Sequence, residues 1–209
     1  MVRYNFPEYE IELEIPDNVY FPKEDSFFIL ESVEIADSHR FLLEIGGGSG
    51  IISIVLSCKH PSIRCLITDI SFSSAKTINK NSRINKVNNR IDIICMDKMQ
   101  ALRQTHPDLV IWNPPYLPSD EEIDSLTIED KKMLIGGKRG YEEVYELLKY
   151  IKYNRIKTTF YTLFSSIAWN KKNIGKLKED GFSVQIIRET SLFFEKLYLV
   201  KVIFSDSDA

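Results

Sequence analysis

Cysteine is scarce: Cys58, Cys65 and Cys95 are the only three in 209 residues, with no C-x-x-C spacing and no ligand pattern with His39, His60 or His106. That count argues against a disulfide framework and a structural zinc site, so no metal is expected. No apolar run approaches 18 residues, and Met1 to Ile15 holds Arg3, Glu8, Glu10, Glu12 and Glu14. Neither a membrane span nor a signal peptide fits such segments. A basic surplus is also missing, since 27 Lys and Arg face 30 Asp and Glu for a net charge of −3. Direct nucleic-acid binding by phosphate neutralisation is therefore not expected. No repeat or low-complexity tract occurs apart from the polar Ser205–Ala209 stretch, read as a flexible tail. What is present, 44% hydrophobic and 27% charged residues, suits one globular domain over residues 1–209, with 1–20 as an N-terminal extension. Three unpaired thiols place it in a reducing cytoplasm.

The middle of the chain alternates between two periodicities. Phe41–Ile45 reads as a strand, and Gly50–Lys59 carries Ile51, Ile54, Val55 and Cys58 at helical spacing. Strands over Arg64–Ile70, Ile91–Met96 and Asp108–Trp112 and a helix over Ser71–Val87 continue the pattern. A helix over Tyr141–Tyr153, a strand over Thr158–Phe164 and a helix over Lys171–Asp180, capped by Gly181, follow. Then Ser183–Glu189 and Lys196–Phe204 come with no helix between them. The pattern predicts an α/β fold: a mostly parallel seven-stranded sheet covered by helices and ending in an antiparallel hairpin. Pro118–Lys138 has no place in the alternation and reads as a long loop or short helical excursion.

Glu44-Ile45-Gly46-Gly47-Gly48-Ser49-Gly50 lies between the first of these strands and its helix, where backbone approaches a ligand in open α/β sheets. A side chain at Gly46 or Gly48 would block that approach. Asp69 ends the next strand, 19 residues beyond Gly50, where a carboxylate can accept both hydroxyls of a ribose. The glycine spacing is G-x-G-x-G, not the G-x-G-x-x-G of a dinucleotide site, and Glu44 beside it disfavours pyrophosphate. An acid there suits the sulfonium and amino group of S-adenosylmethionine (SAM), and the loop resembles motif I of SAM-dependent methyltransferases. Asp97 follows the third strand, where such enzymes place an acid on the adenine amino group.

Asn113-Pro114-Pro115-Tyr116 comes directly off the fourth strand. Two prolines fix φ and remove two backbone donors, so the Asn113 side chain and the Pro114 carbonyl can present stiff acceptors. An amide or adenine amino group is a poor nucleophile until both N–H groups are gripped and the lone pair is aimed at the methyl. Two preorganised acceptors do this, and they strengthen as positive charge develops on nitrogen. Tyr116 can stack on the planar substrate group, with Pro115 beside it. The segment resembles the N/D-P-P-Y/F/W motif of methyltransferases acting on exocyclic or amide nitrogen.

With two further blocks, Phe21-Pro22-Lys23-Glu24-Asp25-Ser26 and Gly136-Gly137-Lys138-Arg139-Gly140, the chain resembles the short archaeal and eukaryotic branch of the HemK-type methyltransferases. The resemblance spans residues 20 to 205. It implies a Rossmann-like class I methyltransferase that modifies the glutamine nitrogen (N5) in the Gly-Gly-Gln motif of class I translation release factors. Ser26, Glu44, Gly46, Gly48, Asp69 and Asp97 would hold SAM, and Asn113 would touch both SAM and the glutamine amide, with Pro114 and Tyr116 in the catalytic segment. Residues 1–20 are too few for the extra helical domain of bacterial relatives. The resemblance implies instead a small zinc-binding activator protein along the sheet edge, for which Ile91–Met96 is the candidate dock.

Two rivals use the same residues. An adenine-N6 methyltransferase acting on RNA or DNA would share the Asn-Pro-Pro-Tyr grip but needs a basic channel for a flipped base. The basic stripes Lys76, Lys80, Arg83, Lys86, Arg90 and Lys171, Lys172, Lys176, Lys178 read as solvated faces, which could also help dock a ribosome-associated or RNA-like partner. A non-catalytic SAM-binding partner subunit is the other rival, against which the intact Asn113 and glycine loop argue. A dehydrogenase fits neither the glycine spacing nor the closing hairpin.

Overall fold

In the computed structural model, residues 2–102, 105–119, 131, 133–169, 171–192 and 195–204 are described, with side chains 171–174 left aside. The sheet has seven strands in the order β5-β4-β3-β6-β7-β9-β8, mostly parallel with an antiparallel C-terminal part, as the alternation predicts. Its strands are β3 (Phe41–Ile45), β4 (Arg64–Asp69), β5 (Ile91–Cys95), β6 (Leu109–Trp112), β7 (Thr158–Ser165), β8 (Ser183–Ser191) and β9 (Lys196–Phe204). The chain divides into two compact units, Met1–Ile111 and Trp112–Ala209.

In the first unit β3, β4 and β5 pair in parallel, with Leu43 opposite Leu66 and Ile67 opposite Ile93. Helix α2 (Ile51–Lys59) is apolar nearly all round, and Ile52, Ile54 and Val55 are buried with Leu42, Leu43, Ile45 and Ile67. A helix with so little polar face must be covered. Each such side chain contributes about 1.5–3 kcal/mol on burial. Helix α3 (Phe72–Ile84) is capped by Ser71 Oγ, which accepts from Ser74 N. It ends three residues short of the expected Val87 because Lys86 adopts φ 59°.

The N-terminal residues hold a structure their charge hid. β1 (Val2–Phe6) and β2 (Ile11–Ile15) form a separate antiparallel pair joined by a 3₁₀ turn at Pro7–Tyr9. β2 alternates cleanly, with Ile11, Leu13 and Ile15 buried while Glu12 is exposed. Helix α1 (Glu24–Ser32) carries Glu24 and Asp25 in its first turn. Of the first basic stripe, Lys76, Lys80 and Arg83 lie on α3 and Lys86 and Arg90 follow it, and three of the five are engaged within the chain. Lys76 sits 4.6 Å from the Phe72 ring centroid, Lys80 pairs with Glu14, and Arg90 donates to the Ser57 carbonyl at 2.6 Å.

In the second unit β9 is paired on both sides, with β7 and with β8, antiparallel in each case. Leu197, Leu199, Val200 and Val202 of β9 are buried with Phe160 and Leu163 of β7. Helix α4 (Glu142–Tyr153) buries Val144, Leu147, Leu148 and Ile151, the residues its periodicity singled out. Helix α5 (Lys171–Glu179) ends at Gly181, whose φ of 81° fits a C-cap glycine. In Pro118–Lys138, residues 120–130 and Lys132 lie outside the described residues, as does the 205–209 tail. No helix among the described residues is long and apolar enough to cross a membrane, and none of their His, Cys, Asp and Glu side chains form a group of three that could hold a metal.

Candidate active site

The cofactor-side residues belong to the first unit. Gly46 N and Gly47 N both donate to the Thr68 carbonyl at 2.7 and 3.3 Å, so the loop starts pinned to the end of β4. Asp69 holds the next turn, its Oδ2 accepting from Gly48 N at 2.9 Å and its Oδ1 from Ser71 N at 2.8 Å. Burial raises its carboxyl above the ordinary value and the two amides oppose that shift. An oxygen that accepts one amide keeps a further acceptor site, which is the capacity a ribose hydroxyl needs.

The glycines divide the work differently from the sequence reading. Gly47, not weighed there, is the one that packs: a Cβ on it would stand 2.3 Å from Ile67 Cγ2 and 2.9 Å from Ile78 Cδ1. Its bareness seats the loop on β4 and α3. A Cβ on Gly48 would meet only Tyr20, at 3.6 Å. Tyr20 belongs to the Pro-x-Glu-Asp-Ser segment's approach, and its hydroxyl donates to Asp25 Oδ2 at 2.7 Å. Asp25 Oδ1 in turn accepts from Ser26 N at 2.6 Å, with Ser26 Oγ 3.3 Å away.

Glu44 lies beneath the loop. It is 2% exposed, and its Oε2 accepts from Ser53 N at 3.0 Å, in the first turn of α2. Burial pushes its carboxyl up to about 7, against the hydrogen bond from Ser53. In this position Glu44 braces the loop through the first turn of α2. Asp97 is exposed, with Lys98 Nζ 3.3 Å from Oδ1, and Met96 N donates to the Asp69 carbonyl, so its turn lies beside the end of β4. Ile70 and Phe72, 59% and 64% exposed, are large apolar side chains flanking Asp69 that the sequence reading passed over. Such exposure next to a ligand loop marks surface a planar ring can cover.

The acceptor-side residues belong to the second unit. Trp112 and Pro114 are buried, and Asn113, Pro115 and Tyr116 are partly exposed. Asn113 Oδ1 itself is buried. The Gly136-Gly137-Lys138-Arg139-Gly140 block lies directly against this segment: a Cβ on Gly136 would stand 2.3 Å from the Pro115 carbonyl oxygen. Leu117 bridges to Ile135, Leu117 N donates to the Leu134 carbonyl, and Gly136 N to that of Leu117. Glu142 closes the block, its carboxylate accepting from Arg139 N at 3.0 Å and Tyr141 N at 3.3 Å. Sequence reasoning saw this block only through a resemblance, and it missed Glu142.

The residues present fit SAM. The loop leaves bare backbone at Gly46 and Gly48, a built-in carboxylate at Asp69 and open apolar surface at Ile70. Comparison with known proteins agrees. The profile of the methyltransferase small domain matches residues 24–131. A Methanocaldococcus jannaschii protein provisionally named a protein N5-glutamine methyltransferase is 33% identical over 196 residues, covering 91% of this chain and 94% of its own. The release factor glutamine methyltransferase of Aquifex aeolicus is 27% identical over 143 residues, 64% of this chain and half of that protein. Among solved structures, the E. cuniculi Mtq2-Trm112 complex, described as responsible for methylating the translation termination factor eRF1, aligns at TM-score 0.64 with 20% identity. That match covers 90% of this chain and 99% of the other. The chain therefore belongs to the methyltransferase small domain family and, within it, to the HemK-type protein-glutamine N5-methyltransferases.

Proposed function

We propose that this enzyme methylates the side-chain nitrogen of the glutamine in the Gly-Gly-Gln motif of a class I translation release factor. The observation that carries the reading is the rigid Asn113–Tyr116 turn, backed by glycines at 136 and 140 that admit no side chain. A planar amide entering such a turn would give its two N–H groups to the Asn113 side-chain carbonyl and the Pro114 carbonyl. These bonds strengthen as charge develops on nitrogen, which is transition-state binding. Tyr116 would stack on the amide plane and Pro115 would wall it.

Asp69, Gly46, Gly48, Ser26 and Asp97 would hold SAM, with Glu44 supporting the loop from below. When bound, SAM supplies an electrophilic methyl carbon and leaves as a neutral thioether. Nitrogen loses its proton readily once alkylated, so no side chain is assigned as general base. Orientation is the main contribution of the protein, and fixing two reactants in near-attack geometry can supply several kcal/mol.

A small zinc-binding activator is the proposed partner, forming a heterodimer along β5. This strand lies at one edge of the sheet, with Ile94 40% exposed and Cys95 exposed. An uncovered edge of this kind invites another chain. The reaction is placed in the cytoplasm.

The test is a transfer assay with radiolabelled SAM, offered a class I release factor and a structured RNA pool in parallel, with and without the activator. Label on the release factor that is lost when its Gly-Gly-Gln glutamine is replaced supports the reading. Label confined to RNA would replace it with the adenine reading.

A further inference from the structure

Asn81 is fully buried in the last turn of α3, at 0% exposure. An amide side chain in that position is a poor helix former and costs several kcal/mol unless both its ends are bonded. Both are. Its Nδ2 donates to the Ser49 carbonyl in the glycine loop at 2.9 Å, and its Oδ1 accepts from Glu14 N in β2 at 2.8 Å. One turn later Asn85 repeats half of the pattern. Its Oδ1 accepts from Glu12 N at 3.0 Å and its Nδ2 donates to the Glu12 carbonyl at 2.7 Å, but it makes no bond to the loop. Residues four apart on a helix share a face, so the two asparagines run along the free edge of β2 like a neighbouring strand.

The Ser49 carbonyl is secured from outside the loop, by the Asn81 amide. Gly46, Gly47 and Gly48 donate to Thr68 and Asp69, and Gly50 N donates to the Gly47 carbonyl at 2.7 Å. The peptide between Ser49 and Gly50 is thus held at both ends, its N–H by the Gly47 carbonyl within the loop and its C=O from outside, by Asn81. We infer that Asn81 is a positioning residue for SAM binding, which fixes the Ser49–Gly50 peptide of the cofactor loop and ties that loop to the N-terminal strand pair. The ligand itself would touch the loop, not Asn81. One further hydrogen bond binds the N-terminal segment to α3, Ser73 Oγ donating to Asn18 Oδ1 at 3.2 Å, and Tyr20 stands 3.6 Å from where a Cβ on Gly48 would lie. Residues 2–26 are thus part of the cofactor site's support, not an appendage.

Asn85 supplies the control, since it holds the same strand from the same helix without touching the loop. SAM affinity by calorimetry and melting temperature are to be measured for the full chain and for Asn81→Ala, Asn81→Asp and Asn85→Ala. Asn81→Asp keeps the acceptor for Glu14 N and sets an oxygen against the Ser49 carbonyl, so it breaks only the loop bond. The expected result is a Kd for SAM raised about tenfold or more in both Asn81 variants, with Asn85→Ala within about twofold of the parent despite a lower melting temperature. If Asn81→Ala does not fold, Asn81→Asp carries the test. Wild-type affinity in a folded Asn81→Asp would overturn the assignment, as would equal losses in the Asn81 and Asn85 variants. The readout uses no acceptor, so it stands apart from the identity of the methylated substrate, and binding by the parent chain checks the cofactor separately.

Discussion

A Cβ added to Gly140 would stand 2.4 Å from the backbone carbonyl oxygen of Tyr116, and Gly140 itself holds φ 82°. Both facts exclude a side chain at this position, the first by contact and the second by backbone strain. The glycine block and the Asn-Pro-Pro-Tyr segment, twenty residues apart in sequence, are one piece of structure. Pro114 and Pro115 stiffen the turn from within, and Gly136 and Gly140 brace it from behind.

Gly140→Ala is accordingly expected to displace Tyr116 at a cost of about 1–3 kcal/mol. Transfer to the protein acceptor should fall about tenfold or more, with SAM affinity by calorimetry unchanged. Normal turnover in the variant would show that the brace is not needed.

Asn113→Ala should abolish transfer while leaving SAM affinity within a few-fold, because its main work is at the acceptor nitrogen. Single-turnover transfer and calorimetry on the same preparation separate the two effects. Loss of SAM binding in a folded variant would contradict that division.

Asp69→Ala removes the acceptors for Gly48 N and Ser71 N as well as those proposed for the ribose. SAM binding should weaken by roughly 1–3 kcal/mol. An unchanged dissociation constant would mean that the ribose site lies elsewhere.

Glu44 makes stability depend on pH in a defined direction. Its carboxyl titrates near 7 in the fold against an ordinary value of 4.5, so the folded chain holds a proton that the unfolded chain has released. The favourable contribution of the protonated carboxyl is complete below pH 4.5 and is lost as pH rises through 7, on the order of 3 kcal/mol in all. Denaturant titrations at pH 5 and pH 8 should show this loss, and Glu44→Gln, which can still accept from Ser53 N, should flatten it. A slope that survives in the variant would assign the effect to another group.

Ile94→Lys places a charge on the exposed edge strand β5. It should abolish co-purification of a small activator partner while leaving the melting temperature of the isolated chain within a few degrees. Undiminished capture would move the partner to another face.

Most of the sheet was legible because its strands and helices obey simple periods: Leu42, Leu43 and Ile45 in β3 and Val144, Leu147, Leu148 and Ile151 in α4 are buried as their spacing requires. The glycine loop and Asn113–Tyr116 were legible because few other reasons place such residues at the ends of strands. The N-terminal strand pair was not, since glutamates at 8, 10, 12 and 14 made it read as an extension. Its strand edge is satisfied by Asn81 and Asn85, a long-range device that no local pattern announces. The burial of Glu44 and its bond to Ser53 N were not legible, because a sequence gives its place before the loop but not which side of the backbone it faces. Gly47 was overlooked because its need for no side chain arises from Ile67 and Ile78, far away in the chain.

The most direct measurement is peptide mass spectrometry of a class I release factor after incubation with the enzyme, SAM and the activator. One added methyl on the Gly-Gly-Gln glutamine, absent with Asn113→Ala, is the result expected here. An unmodified glutamine, with active enzyme methylating another residue or an RNA base instead, would contradict the account.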